Sequence, residues 1–231
     1  MTDSESKHRH VPYRPDRLPH EEALERGRAF FREFDARRSV RHFSDQAVPR
    51  EAIELAVRTA STAPSGAHRQ PWRFVAIDNP ALKSQIRKAA EHEEKISYEQ
   101  GRMPPDWLKA LAPLGTTWEK PYLETVPYIV VLFEEIHSFE DDGSKRKNYY
   151  VRESVGIAAG LFVAALHRMG LSTLTHTPSP MAFLTKLLGR PKNERPFILF
   201  PVGYPAPDAT VPDIQRKSLD NVIVWNTGDH E

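Results

Sequence analysis

Arg37-Arg38-Ser39-Val40-Arg41 puts three guanidiniums and a hydroxyl within five residues, a donor set suited to an anion with several oxygens. The guanidinium is a rigid fork that stays charged at any working pH and meets phosphate oxygens two at a time. Charge-assisted hydrogen bonds are worth roughly 1.5–3 kcal/mol each. Two or three would therefore hold a phosphorylated cofactor without a covalent link. The alternative is that Arg37 and Arg38 close the preceding helix and complement its dipole. That role has no need of the third Arg, which sits in the alternating stretch Val40-Arg41-His42-Phe43.

Other chemistry-bearing residues are scattered along the chain. Ala63-Pro64-Ser65-Gly66-Ala67-His68 is a turn whose Gly66 allows close approach of the backbone to a flat ligand. Glu94 and Tyr98 stand four apart, so on a helix they share a face; without further context they form an ordinary surface pair. Thr175-His176-Thr177 runs along an alternating segment, where Thr177 also reads as a plain strand threonine before a proline. His8 and His10 lie in a polar arm that has little to bury, which makes them tail residues before they are metal ligands.

The elements that must position these groups follow from periodicity. Helices are predicted over Glu21 to Asp35, from Pro49 to before Pro64, from Asn79-Pro80 to about Tyr98, from near Tyr149 to Gly170, and over Met181 to Leu188. Strands are predicted at Trp72–Ile77, Tyr128–Phe133, Leu171–Thr177, Phe197–Tyr204 and Val222–Trp225. Residues 139–148 read as a polar loop. The proline-bearing stretch from Gly101 to Gly115, anchored by Trp107 and Leu108, reads as a lid. Val155 to Leu166 is apolar nearly all round, which points to a subunit interface and a dimer. A tail from Pro205 that ends in a hydrophobic strand invites exchange with a partner subunit. Helices and strands intermix without strict βαβ alternation, so the fold class is α+β, a mixed sheet flanked by helices. The expected organisation is a disordered arm over 1–18 and one domain over 19–231, with the lid at about 95–120 and a dimer extension at about 205–231.

The totals narrow the function. At 231 residues and 39% hydrophobic the chain suits one domain with a full core, and a net charge of +1 gives no global field for nucleic acid or anionic membrane. With no cysteine there are no disulfides, no thiolate catalysis and no cysteine-held metal centre. No apolar run approaches the roughly 20 residues of a membrane span, and the charged N-terminal segment is not a signal peptide, so a cytoplasmic protein is expected.

The Arg37–Arg41 cluster, Thr62–His68 and Pro71-Trp72 together resemble the FMN-dependent nitroreductase superfamily. Thr175-His176-Thr177-Pro178, Leu187-Leu188-Gly189-Arg190-Pro191 and Pro201–Pro205 running into Ala209–Asp213 narrow the resemblance to its reductive halotyrosine dehalogenases, over roughly residues 35–224. The resemblance implies a nitroreductase-like fold, an intertwined homodimer with an exchanged C-terminal extension, and FMN as cofactor. It implies that Arg37, Arg38, Ser39 and Val40, joined by Arg216, hold the phosphate and ribityl groups. Arg41 would face the N1/O2 side of the flavin, Ser65, Thr175 and His176 would complete the cofactor shell, and the Thr177 hydroxyl would meet N5 and favour single-electron steps. For the substrate it implies a zwitterion clamp in which Glu94 holds the ammonium, Lys120 the carboxylate, and Tyr98 packs alongside. The phenolate would rest on the backbone N–H of Ala67, so that Thr177 and Ala67 are the catalytic positions. The electron donor is left open between NAD(P)H and a reductase or flavodoxin-type protein. Two competing functions remain at this stage: a broad NAD(P)H-dependent nitroreductase or quinone reductase, and a flavin-binding protein without turnover.

Overall fold

The computed structural model describes residues 9–226; of the two arm histidines, His8 lies outside that range. The chain divides into two compact units, Met1–Arg37 and Arg38–Glu231. The division falls later than the boundary at residue 19 expected from composition, so the first helix groups with the arm. Residues 9–19 have no regular structure. Helix α1 (His20–Asp35) buries none of its residues. Its order comes from pairs along its own surface, such as Arg26 to Glu22 at 2.6 Å, Arg32 to Glu25 at 2.9 Å, and the Phe30 and Phe34 rings 4.5 Å apart.

The second unit is built on a four-stranded sheet of β1 (Trp72–Ile77), β2 (Tyr128–Glu135), β5 (Ser172–Thr173) and β6 (Glu194–Gly203) in the order β1-β2-β6-β5. Among the described residues every rung of the sheet joins antiparallel strands. Alternation along β2 gives the sheet two buried faces. Val130 and Leu132 pack with Phe200 and Val202 against α2 (Arg50–Ala60) and α6 (Val151–Arg168). Ile129, Val131 and Phe133 pack with Leu199 against α3 (Pro80–Glu99) and α7 (Ala182–Leu187). This second face carries the site.

Several local expectations change. The strand expected over Leu171–Thr177 is reduced to β5 and a single bridge from His176 to Leu199 in the same register. The missing rung falls at Leu174, opposite Pro201, which has no N–H to donate. The polar loop at 139–148 is a hairpin, β3 (His137–Phe139) with β4 (Lys145–Lys147), turning at Gly143 with φ +79°. The lid contains a helix, α4 (Pro105–Leu111), which Pro105 opens at its first turn. A short helix α5 (Tyr122–Thr125) follows it.

Val222–Trp225 forms no strand and is largely solvent-exposed, Val224 and Trp225 each at 77%. Helix α6 turns Val155, Ala158, Phe162 and Leu166 inward and leaves Gly156, Ile157 and Gly160 open on its other face. Helix α3 starts cleanly because the Asn79 side chain accepts a hydrogen bond from the Leu82 N–H at 2.9 Å with Pro80 next in line. Asn79→Ala is expected to lower stability by about 1 kcal/mol, read as a melting-temperature drop of roughly 2–4 °C.

Candidate active site

Helix α3 carries Glu94 and Tyr98 one turn apart, and the segment after the lid returns Lys120 to them. Both charged side chains are deeply buried, Lys120 at 3% and Glu94 at 12% exposure, and their charges meet at 3.4 Å. Lys120 also donates to the Thr117 carbonyl and lies 5.5 Å from the centre of the Tyr98 ring. The other Glu94 oxygen faces His176 Nε2 at 3.2 Å. Burial alone would raise the Glu94 carboxyl, but the His176 hydrogen bond and the Lys120 charge outweigh it and hold the group below its ordinary value. Burial draws Lys120 and His176 down from theirs.

These groups line a cavity of about 380 Å³ together with Arg41, Thr175 and Thr177. The lid supplies one wall through Arg102, Trp107 and Leu111. Arg102 holds the base of that wall by donating to Glu93 at 2.6 Å and to the Ser179 carbonyl at 2.8 Å. Arg41 also borders a second cavity, of about 270 Å³, with Ser39 and the Thr210–Pro212 stretch. Arg38 donates to the Pro212 carbonyl, and the Val40 N–H donates to Thr173 O at 3.3 Å, which ties the Arg segment to β5.

The turn after α2 is backbone-strained. Ala67, His68 and Gln70 all have φ near +50°, a region that non-glycine residues seldom adopt outside sites that over-determine them. It is held by the Gln70 N–H donating to Ser65 Oγ at 2.9 Å and by a bridge from Gly66 to Tyr149. The approach is so close that a Cβ at Gly66 would lie 2.6 Å from the Tyr149 carbonyl oxygen.

Of the expected site residues, Arg41, Glu94, Tyr98, Lys120, Thr175, His176 and Thr177 come to the first cavity and Ser39 to the second. Arg37 lines neither cavity and is the last residue of the first unit. Arg216 lies in the exposed extension and lines neither cavity. Thr175 and Thr177 are exposed while His176 between them is buried, so its polar contact is with Glu94. Tyr122 and the lid residues Arg102 and Leu111 line the cavity without having been singled out from the sequence. Tyr122 beside Leu123 looks like core, and the lid's proline content hides a helix.

FMN asks for an anion site beside a flat, donor-bearing wall. The residues present fit it: Ser39 and Arg41, with Arg38 beside them in sequence, would provide the cationic and hydroxyl donors, and the cavity bordered by Ser39 and Arg41 adjoins, at Arg41, the one lined by Thr175 and Thr177.

Comparison with known proteins accords with this geometry. The model of the "Nitroreductase family" matches residues 35–204. An iodotyrosine deiodinase from Haliscomenobacter hydrossis is 55% identical over 93% of this chain and 96% of its own length. Human iodotyrosine deiodinase 1 is 44% identical over 96% of this chain and 77% of its own. A crystal structure of oxidized iodotyrosine deiodinase bound to FMN and 3-iodo-L-tyrosine superposes with a TM-score of 0.76 at 32% identity, covering 86% of this chain and all of that one. With a family match over most of its length and relatives this similar over more than nine-tenths of this chain, the chain belongs to the nitroreductase family and, within it, to the iodotyrosine deiodinases.

Proposed function

We propose that the protein is an FMN-dependent oxidoreductase that reductively removes halide from iodo-, bromo- or chlorotyrosine, giving tyrosine. The observation that carries this reading is the buried Glu94–Lys120 pair beside the cavity. A free amino acid brings one ammonium and one carboxylate. Its ammonium takes the Glu94 oxygen that Lys120 holds, and Lys120 turns to the substrate carboxylate. Each buried charge keeps a partner throughout the exchange, so a zwitterion enters without leaving a charge stranded. A singly charged or neutral aromatic gains nothing from it.

When bound and reduced, by NAD(P)H or by a reductase or flavodoxin-type protein, FMN would supply the two electrons with which the carbon–halogen bond breaks, halide leaving as the carbon gains a proton. The chain's own residues orient that event. Tyr98 packs beside the amino-acid end, and the lid wall at Trp107 and Leu111 shields the aromatic ring from water. The Ala67 N–H receives the phenolate; an ortho halogen lowers the phenol's pKa, so this contact selects the halogenated ring over tyrosine. Arg41 and Thr177 line the cavity; with FMN bound, Arg41 would favour negative charge on the ring and Thr177 would offer it a hydroxyl donor.

The protein acts in the cytoplasm as a homodimer. Supporting this are the open apolar face of α6 and the exposed Val222, Val224 and Trp225. The exchanged tail carries Arg216 to the partner's phosphate site. No described helix is long and apolar enough to cross a membrane.

The test is anaerobic mixing of reduced holoenzyme with 3-iodotyrosine. Flavin reoxidation with one tyrosine and one iodide per flavin is expected; reoxidation without tyrosine, or none, overturns the reading.

A further inference from the structure

We propose that His176 is a positioning residue for substrate recognition: it holds one oxygen of the Glu94 carboxylate so that the other stays turned toward Lys120 and the incoming ammonium. The inference rests on the functional reading above and goes beyond it, because that reading uses Glu94 alone for the ammonium.

The two oxygens of Glu94 are divided between partners, Oε1 to His176 Nε2 at 3.2 Å and Oε2 to Lys120 Nζ at 3.4 Å. A carboxylate with a single anchor rotates about its last torsion, and two anchors on opposite oxygens stop that rotation. His176 is itself immobile. Its backbone exchanges both hydrogen bonds with Leu199 at 2.9 Å, its side chain is 6% exposed, and the Tyr122 ring meets it edge-on at 6.2 Å. Burial keeps the imidazole neutral near neutral pH, and an ionised carboxylate only accepts, so the proton sits on Nε2 and is donated to Glu94. Nδ1 is buried and meets no partner among the described residues. Glu94 is therefore the ring's single polar attachment within the described protein. A purely apolar plug here would be better made by Leu or Phe, which leave no buried nitrogen unpaired. A cofactor ligand would present a nitrogen to the cavity, yet one nitrogen is spent on Glu94 and the other is enclosed.

The experiment uses the FMN-loaded enzyme with two probes, 3-iodotyrosine and 2-iodophenol, which has the halogenated ring but no ammonium. Dissociation constants come from flavin-fluorescence titration, and KM and kcat from steady-state assays. His176→Val is expected to raise Kd and KM for 3-iodotyrosine about tenfold with kcat within about twofold, as for loss of one charge-assisted bond. The preference for 3-iodotyrosine over 2-iodophenol should fall by the same factor. His176→Gln, whose amide can still donate to Glu94, should recover most of the loss. Adding His176→Val to Glu94→Gln should weaken binding little beyond Glu94→Gln alone. If the valine variant does not fold, His176→Asn, too short to reach Glu94, is set against His176→Gln with the same expectation. Equal weakening of both probes, a matching change in FMN affinity, or effects that add in the double variant overturn the role of His176. Unchanged 3-iodotyrosine binding in Glu94→Gln itself overturns the clamp as well, which separates failure of the functional reading from failure of this inference.

Discussion

Glu94→Gln is expected to weaken 3-iodotyrosine binding by about two orders of magnitude, while 2-iodophenol and nitroaromatic turnover change by less than about threefold. The size follows from charge. The amide matches the carboxylate in shape but brings no negative charge, so an ammonium entering the cavity would be buried against a neutral group. Charge-assisted hydrogen bonds contribute roughly 1.5–3 kcal/mol, and the upper part of that range applies because both side chains are largely shielded from solvent, Glu94 at 12% and Lys120 at 3% exposure. Lys120 loses its counter-charge in the same variant. Burial already holds its ammonium below the ordinary lysine value, so it responds by releasing its proton more readily, which also removes the cation meant for the substrate carboxylate. Flavin-fluorescence titration with the two probes reads the effect directly. A broad nitroreductase, for which the amino-acid end of the ligand is irrelevant, would show no difference between them.

That single residue also indicates how much of the site the sequence could disclose. Helical periodicity places Glu94 and Tyr98 on one face of a helix, and α3 presents them so. The apolar runs of β1, β2 and β6 read as buried strands because two helical layers cover them. What escaped depended on contacts that no local pattern encodes. His176 meets Glu94 across 82 positions, and nothing near either residue announces the other. The strand carrying His176 is interrupted by a proline in a different strand, Pro201, so its own sequence gives no warning of the gap. Signals of another kind were present but outweighed. Pro104-Pro105-Asp106 is a good helix start, with proline and an acid in the first turn, yet proline density reads as loop. Asp142-Gly143 is a hairpin turn inside a stretch that reads as polar loop. Val222–Trp225 has strand composition but no strand partner among the described residues, and composition alone carries no information about pairing.

The second large effect concerns the turn that presents Ala67. Gly66→Ala places a methyl carbon 2.6 Å from the Tyr149 carbonyl oxygen and 3.0 Å from its carbon, both backbone atoms that no rotamer change can move aside. The Gly66–Tyr149 bridge must open, by several tenths of an ångström at least. Residues 67, 68 and 70 sit in left-handed conformations fixed by that bridge and by Ser65 Oγ, so the displacement passes directly to the Ala67 N–H. A shift approaching 1 Å in a group that positions the reacting ring costs about 10²-fold in rate. The expectation is therefore a fall in kcat/KM for 3-iodotyrosine of that order, with a stability loss of about 1–3 kcal/mol from the overpacked contact. Because the Arg38, Ser39 and Arg41 donors are untouched and only Ser65 of the expected cofactor shell lies in the displaced turn, FMN affinity should fall far less than kcat/KM, and Glu94 and Lys120 should still hold the amino-acid end. The loss should thus appear mainly in kcat. Preference for the halogenated ring over tyrosine should also fall, since the contact proposed for the phenolate is the one displaced. If tyrosine discrimination survives while kcat collapses, the phenolate is held elsewhere, and the role given to Ala67 is wrong even though the strain at Gly66 is real.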